Sequence, residues 1–303
     1  MVIEGLHHVT AISGPPQDNV RFYQTVLRQR LIKKTVNFDS PDTYHLYYGD
    51  RIGSPGTVIT FFPFLDAGPG RAGPGMASAV AYKLGKGGLT AAMEALADGA
   101  VDFDGPTERF GEAMIVVPDP DGMPVELIET DDAPAWGAAP ALGPFHSVTL
   151  WLAAAERTEQ LLTEVMGLTF AGEESAGGRV RRRLATASGQ AVDLVVADEP
   201  AIARPGAGTI HHVAFRVANE DEQLFWRQRL LSAGMQVTPV IDRQYFNAIY
   251  FREPGGVLFE IATDPPGFAV DEPVEHLGET LKLPPQFETQ REAIERALPP
   301  LKS

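Results

Sequence analysis

The segments LHHVT at 6–10 and IHHVAF at 210–215 are the part of the sequence that decides the fold. Each places a pair of histidines at the start of an apolar, strand-like segment. The same position recurs as FHSVT at 145–149 and, more loosely, as ASAVA at 77–81. Because self-similarity along a chain indicates a repeated structural unit, the sequence predicts four related modules.

Segments rich in Gly, Pro and Ala separate the modules, and these residues interrupt regular structure. They lie at 68–75 (GPGRAGPG), 131–144 (DDAPAWGAAPALGP) and 198–208 (DEPAIARPGAG). We therefore expect an N-terminal half, 1–135, and a C-terminal half, 136–303. The four modules are expected at about 5–64, 76–132, 143–198 and 208–264, followed by a C-terminal tail.

Each module has the pattern of a strand, a helix and about three further strands. Apolar residues at helical spacing follow the first strand, and a Pro-Gly or Asp-Gly turn precedes the last one. The sequence thus predicts an α+β fold of four βαβββ modules. The helices are expected at 18–31, 88–97, 156–166 and 221–233.

Composition excludes several classes of function. The chain has 303 residues and a formal net charge of -15, which opposes binding to phosphate backbones and anionic membranes. It contains no cysteine, so disulfides, thiolate nucleophiles and Cys-ligated metal sites are excluded. The opening residues MVIEGLHH lack the pattern of a signal peptide, and we expect a cytoplasmic protein that needs neither nucleic acid nor membrane.

The tandem βαβββ pattern, with His on a first strand and Glu on a last strand, resembles the vicinal oxygen chelate superfamily. That superfamily includes glyoxalase I, extradiol dioxygenases and antibiotic-resistance proteins. Several segments are similar to hydroquinone ring-cleaving dioxygenases of the 2,6-dichlorohydroquinone and methylhydroquinone type. They are LHHVT at 6–10, YHLYYGD at 44–50, GSPGTVITFFPF at 53–64, IHHVAF at 210–215, YFREPGGVLFEIATDPPGF at 250–268 and LGETLKLPPQFE at 277–288.

A metal site is predicted from His8, His212 and Glu260. His8 and His212 occupy the same position in the first and fourth modules, and Glu260 ends the fourth. Two histidines and one carboxylate on one face of an ion are typical of non-haem Fe(II) enzymes that use oxygen. The resemblance implies that the second His of each pair is the ligand. Fe(II) is the expected ion, with Mn(II) as the other candidate.

The placement of these ligands also predicts how the modules pair. The third module has Ser147 at the ligand position, and the second has Ala79. Only modules 1 and 4 carry a His there, so we expect modules 1 and 4 to form one vicinal-oxygen-chelate domain and modules 2 and 3 the other. In the second domain Glu126 would be left alone. Phe61 is expected at the position of Glu260 in the first module.

The resemblance implies further roles around the substrate for His7, Thr10, His211 and Tyr250. A histidine there could take a proton from a hydroquinone hydroxyl, and the Tyr250 phenol could hydrogen-bond a substrate oxygen. Other polar residues are interpreted as structural. His45 is assigned to packing, and Arg179, Arg181 and Arg183 to a solvated strand face. Arg243 has two interpretations, a positive charge for a substrate oxyanion or a solvated loop residue, and the second is favoured.

These observations favour a ring-cleaving dioxygenase that inserts both atoms of O2 into a hydroquinone or catechol. Its partners would be the small aromatic substrate and O2, and a homodimer is a further expectation. Two alternatives share the scaffold, namely a metal-dependent isomerase or lyase and a metal-free small-molecule binding protein. Four-ligand isomerase sites use a second carboxylate, and Phe61 at that position argues against them.

Overall fold

The computed structural model describes residues 1–133, 142–176, 178–197 and 202–302. Within these ranges the chain forms four modules, each with a strand, a helix and three further strands. This confirms the predicted α+β class.

The first two modules and their connection occupy the N-terminal part of the chain. Module 1 comprises β1 (Leu6–Ser13), α1 (Pro16–Arg21) with a π-helical turn (Phe22–Val26), β2 (Arg30–Asn37), β3 (Ser40–Gly49) and β4 (Val58–Pro63). Module 2 comprises β5 (Met76–Leu84), α2 (Gly88–Asp98), β6 (Asp104–Arg109), β7 (Glu112–Pro118) and β8 (Pro124–Glu129).

The other two modules are followed by a tail. Module 3 comprises β9 (Phe145–Leu152), α3 (Glu156–Gln160) with a π-helical turn (Leu161–Val165), β10 (Thr169–Ala176), β11 (Arg179–Ala185) and β12 (Ala191–Ala197). Module 4 comprises β13 (Thr209–Val217), α4 (Glu220–Ser232), β14 (Ile241–Asp242), β15 (Phe246–Arg252) and β16 (Leu258–Pro266). The tail holds three short 3-10 turns and α5 (Arg291–Ala297).

The strands form two sheets of eight, and each sheet combines two modules. Sheet I has the order β14-β15-β16-β13-β1-β4-β3-β2, and sheet II has the order β10-β11-β12-β9-β5-β8-β7-β6. The first strands of the paired modules join them, since β1 runs antiparallel to β13 and β5 antiparallel to β9. The predicted pairing of module 1 with 4 and of module 2 with 3 is therefore confirmed.

Side chains of β1 alternate between two buried environments, as a strand requires. Val9 and Ala11 are fully buried in the hydrophobic core of the molecule. His8, Thr10 and Ile12 point to the opposite face, where they line a cavity. Both faces of the strand are thus covered, and the face opposite the core positions the functional side chains.

The predicted helix at 18–31 is too long. Its helical part ends at Val26, and β2 begins at Arg30. Leu27 N–H donates to the Phe22 carbonyl, and Arg28 has a φ of 54°, a left-handed conformation that ends a helix. Leu31 is buried as a strand residue paired with Tyr48, so its spacing matched the helix pattern only by coincidence.

Two of the predicted linkers contact each other. Arg71 and Arg204 exchange backbone hydrogen bonds of 2.8 and 2.9 Å, so segment 68–75 pairs with the end of segment 198–208. The predicted boundary between 135 and 136, with 134–141 of the second linker and 198–201 of the third, lies outside the described residues. The division into halves stays a prediction.

Among the described residues, no helix combines the length and the apolar character needed to cross a bilayer.

Candidate metal centre and cavity

Sheet I brings the three predicted metal ligands together. His8 lies on β1, His212 on the neighbouring β13, and Glu260 on β16 beside it. His8 Nε2 lies 3.3 Å from His212 Nε2 and 3.4 Å from Glu260 Oε2. His212 Nε2 lies 2.9 Å from the same oxygen. All three side chains are buried, and no other His, Cys, Asp or Glu among the described residues joins a cluster with this geometry.

These distances fit a single divalent ion. At metal–ligand distances of about 2.1 Å, neighbouring ligand atoms are separated by about 3.0 Å at a right angle and about 3.4 Å at a tetrahedral angle. Glu260 is fully buried, and neither of its oxygens accepts a well-formed hydrogen bond. Burial alone would raise the pKa of Glu260, but the His8 and His212 rings outweigh it and hold the pKa below its ordinary value. A buried anion without hydrogen bonds is the environment that a cation stabilises.

The histidine that precedes each candidate ligand contacts the ring of that ligand. His7 Nδ1 lies 2.9 Å from His8 Nδ1, and His211 Nδ1 lies 2.8 Å from His212 Nδ1. A ligand that binds metal through Nε2 carries its proton on Nδ1 and donates it to such a partner. The partner is then neutral, with its own proton on Nε2.

Both partner rings are neutral at pH 7. Desolvation by burial, followed by the neighbouring His8, lowers the pKa of His7 to about 3. Desolvation and the neighbouring His212 lower the pKa of His211 to about 4. Their positions differ, because His7 lies behind His8 while His211 opens onto the cavity. The sequence alone assigned the two residues equivalent places near the substrate.

The register of sheet I corrects the position of the missing fourth ligand. In module 4, Glu260 lies opposite Ala214, which follows His212 by two residues. In module 1 the equivalent of Ala214 is Thr10, which follows His8 by two residues, and Thr60 lies opposite it. Phe61 points to the other face, where it is buried beside Tyr23. The expectation of Phe61 at this position was wrong by one residue, which in a strand reverses the face.

A glycine with positive φ marks the correct register in every module. It stands four residues before the position of Glu260 in each case: Gly56 before Thr60, Gly122 before Glu126, Gly189 before Asp193, and Gly256 before Glu260. The turn needs this glycine because other residues rarely adopt such φ values. The sequence holds this signal, and alignment on the last glycine of each turn would have found Thr60.

A cavity of about 470 Å³ opens above the metal ligands. Thr10, His211 and Tyr250 line it, as the sequence predicted, while His7 does not. Its walls combine aromatic and apolar side chains with polar groups that point inward, which is typical of a small-molecule site. Residues that sequence analysis did not assign to the site also line it: Ile12, Asn37, Phe38, Asp39, His45, Tyr47, Phe62, Phe64, Thr238, Arg243, Phe246 and Leu258.

Arg243 belongs to the cavity wall, which corrects its interpretation as a solvated loop residue. Its Nε donates to Tyr250 Oη at 3.2 Å, and its Nη1 lies 3.5 Å from Asp39 Oδ2 at the cavity mouth. Burial, followed by the charge of Glu260, raises the pKa of Tyr250 well above its ordinary value. The phenol therefore keeps its hydrogen and can donate it into the cavity.

Sheet II carries arginine–carboxylate pairs where sheet I carries the metal ligands. Arg109 holds both oxygens of Glu126, so Glu126 is not left alone. Arg183 Nε donates to Asp193 Oδ1 at 2.8 Å, and Arg181 also reaches Asp193. The expected solvated face of Arg181 and Arg183 is therefore wrong. Guanidinium groups donate and cannot bind a cation, so in sheet II arginines neutralise the carboxylates at the positions where sheet I has the candidate metal site.

Comparison with known proteins gives one family. The sequence model of the Glyoxalase/Bleomycin resistance protein/Dioxygenase superfamily matches residues 5–127 and 145–261. A Bacillus subtilis protein named "Putative ring-cleaving dioxygenase MhqO" is 45% identical over 305 residues, which cover 98% of this chain and 96% of the relative. The "Chlorohydroquinone/hydroquinone 1,2-dioxygenase" of Sphingobium indicum is 35% identical over 314 residues, covering 98% and 96%.

Solved structures agree with these relatives. A crystal structure described as a putative dioxygenase from Bacillus subtilis superposes with a TM-score of 0.92 at 43% identity, covering 99% of this chain and 98% of that one. Glyoxalase I from Zea mays superposes with a TM-score of 0.65 at 14% identity, covering 86% and 92%. At that identity the second match shows the shared fold alone.

Proposed function

We propose that this chain, which belongs to the glyoxalase/bleomycin resistance protein/dioxygenase superfamily, is a non-haem metal-dependent dioxygenase that cleaves the ring of a hydroquinone or catechol. The observation that carries the proposal is the buried set of His8, His212 and Glu260 at the base of an aromatic-lined cavity. Relatives that align over nearly the whole chain carry ring-cleaving dioxygenase names, which supports the same reaction.

The three ligands leave positions free on an ion for substrate and O2. Fe(II), or alternatively Mn(II), would supply the redox chemistry by which both atoms of O2 enter the product and one ring C–C bond breaks. The product would be a semialdehyde or an acyl compound.

The protein groups around the ion supply hydrogen-bond donors. Tyr250 accepts from Arg243 and thus presents its own hydrogen to the cavity. His211, with Nδ1 accepting from His212, presents the hydrogen on Nε2. Donors in a desolvated site stabilise a substrate oxyanion more strongly than water does. His7 acts differently in this proposal, as a positioning residue that holds the His8 ring.

The aromatic walls bind the ring and exclude water. Phe62 lies beside His211 and Phe246 lies beside His8, and both rings line the cavity. Thr60, at the position of the fourth ligand, is hydrogen-bonded to Thr10 and His45. A site with a hydroxyl engaged in this way is less suited to a four-ligand isomerase than to a dioxygenase. A cytoplasmic location and a homodimer stay predictions.

The test is oxygen uptake by protein loaded with Fe(II) under anaerobic conditions, using methylhydroquinone, chlorohydroquinone and catechol in parallel. We expect uptake matched to the loss of aromatic absorbance in the wild type and no uptake in His212→Ala. The control is His276→Ala, because His276 is exposed in the tail. Absence of uptake with every ring, from protein shown to contain one ion at the site, would contradict the proposal.

A further inference from the structure

Four side chains of module 1 form a continuous chain of hydrogen bonds that ends in the cavity. Tyr47 Oη lies 2.8 Å from His45 Nδ1, and His45 Nε2 lies 2.8 Å from Thr60 Oγ1. Thr60 Oγ1 lies 2.8 Å from Thr10 Oγ1, and Thr10 lines the cavity two residues after the ligand His8. The chain thus connects the position of the missing fourth ligand to the substrate space.

The first bond in this chain has a favoured direction. Tyr47 is 2% exposed, and among the described residues its hydroxyl has a hydrogen bond to His45 alone. Tyr47 and Thr10, at the two ends of the chain, are both buried and both line the cavity, so either direction leaves one hydrogen without a protein acceptor. A phenol is a stronger hydrogen-bond donor than an alcohol and a weaker acceptor than an imidazole nitrogen, which favours donation from Tyr47 to His45. Tyr47 therefore donates, and His45 accepts at Nδ1.

The remaining directions follow from the number of hydrogens available. Burial, followed by the nearby His8, lowers the pKa of His45 well below its ordinary value, so the ring is neutral and carries one hydrogen. With Nδ1 accepting, that hydrogen is on Nε2 and is donated to Thr60. Thr60 then donates its hydrogen to Thr10, and the hydrogen of Thr10 is left for the cavity.

We infer that Tyr47, His45 and Thr60 are positioning residues that keep the Thr10 hydroxyl as a hydrogen-bond donor directed into the cavity. The acceptor would be an oxygen atom of the bound aromatic or of O2, and in this respect the inference rests on the proposed function. The reverse direction would turn Thr10 into an acceptor and would leave no hydrogen for such an oxygen.

The first test does not depend on activity. The tautomer of His45 is read from ¹⁵N chemical shifts of histidine-labelled protein loaded with diamagnetic Zn(II), with His45→Gln used for assignment. We expect the Nε2–H tautomer in the wild type and a shift of population towards Nδ1–H in Tyr47→Phe, which lacks the donor. An Nδ1–H tautomer in the wild type, or a tautomer that Tyr47→Phe leaves unchanged, would overturn the inference.

The second test compares Thr60→Val with Thr60→Ser in Fe(II)-loaded protein of equal metal content. We expect Thr60→Val to lower kcat about tenfold with little change in KM, and Thr60→Ser to restore most of the loss because it keeps a hydroxyl. Adding Tyr47→Phe to Thr60→Val should lower kcat no further, since the chain is already broken. Equal kcat in Thr60→Val and wild type, or no rescue by Thr60→Ser, would overturn the inference.

A wild type without oxygen uptake would contradict the proposed function, while the His45 tautomer would still decide the direction of the hydrogen-bond chain.

Discussion

If His8, His212 and Glu260 hold an ion as proposed, we expect its binding to depend most on Glu260. It is the single carboxylate of the ligand set, it is fully buried, and neither of its oxygens accepts a well-formed hydrogen bond from the protein. A bound cation would therefore be the main balance to its charge. Glu126 stands at the same register position in sheet II, but there Arg109 satisfies both oxygens.

The substitution Glu260→Gln should lower the affinity for Fe(II) or Mn(II) by at least about 100-fold, because it removes the charged ligand and keeps the side-chain size. Calorimetric titration with Mn(II) and measurement of bound metal would check this. The matched control is Glu126→Gln, which should still bind one ion per chain. Equal affinity in Glu260→Gln and wild type would place the ion elsewhere.

Tyr250→Phe should lower kcat for ring cleavage by about 10- to 100-fold, the effect of losing one hydrogen bond to a charged oxygen. The substitution also leaves Arg243 without its acceptor in the cavity wall. Steady-state oxygen uptake would measure the loss. Tyr44→Phe is the control, because the Tyr44 hydroxyl donates to the Pro299 carbonyl in the tail. If kcat fell by the same factor in Tyr250→Phe and Tyr44→Phe, Tyr250 would have no specific part in the reaction.

At the scale of elements, sequence patterns predicted the order of strands and helices but not every register or end. The turn before β4 was found, yet its alignment on Pro-Gly placed Phe61 where the register places Thr60. Apolar spacing also extended the first helix to Leu31, which belongs to β2. In both cases a local backbone feature decides the outcome, a positive φ at Gly56 and at Arg28, and neither the Pro-Gly match nor the apolar spacing identifies it.

We expect the stability of the folded protein to depend on pH through Asp119, which lies in the turn before β8. Asp119 Oδ1 accepts from the backbone N–H groups of Asp121 and Met123, and burial raises the Asp119 pKa to about 6. Because the folded pKa exceeds the unfolded one, the native state holds the proton more tightly between pH 4 and 6. The free energy of unfolding should therefore fall as pH rises through this range, by up to about 3 kcal/mol.

Denaturant titrations at pH 4.5 and pH 8 would check this with Asp119→Asn, which keeps an acceptor oxygen and cannot ionise. The variant should gain stability relative to the wild type at pH 8 and not at pH 4.5. Glu94→Gln, on the exposed side of α2, is the control substitution. If the difference in unfolding free energy between Asp119→Asn and wild type were the same at both pH values, the raised pKa of Asp119 would be contradicted.

At the scale of the whole molecule, the module pairing was predictable because chemistry restricts it. Only modules 1 and 4 carry His at the ligand position, so one site requires that they meet. The arginine–carboxylate pairs of sheet II could not be predicted in this way. Arg181 and Arg183 alternate like an exposed strand face, but Asp193 on the neighbouring strand β12 pairs with both, and Glu112 on β7 also pairs with Arg183. The spacing of residues within β11 reports neither partner.

The same pairing means that an ion at the site would join the two ends of the chain. His8 lies in the first module, and His212 and Glu260 lie in the last, so the complete ligand set exists only in the folded molecule. An ion that binds the native state alone stabilises it by mass action, by about 2.7 kcal/mol at a free concentration of 100 Kd.

Removal of metal by a chelator should therefore lower the melting temperature Tm, and adding Mn(II) back should restore it. Glu260→Gln should show no rise of Tm on addition of Mn(II), whereas Glu126→Gln should still respond to the ion. A wild type that contains one ion per chain but has the same Tm with and without it would show that the ion binds folded and unfolded chains equally, which a site assembled from two distant modules cannot do.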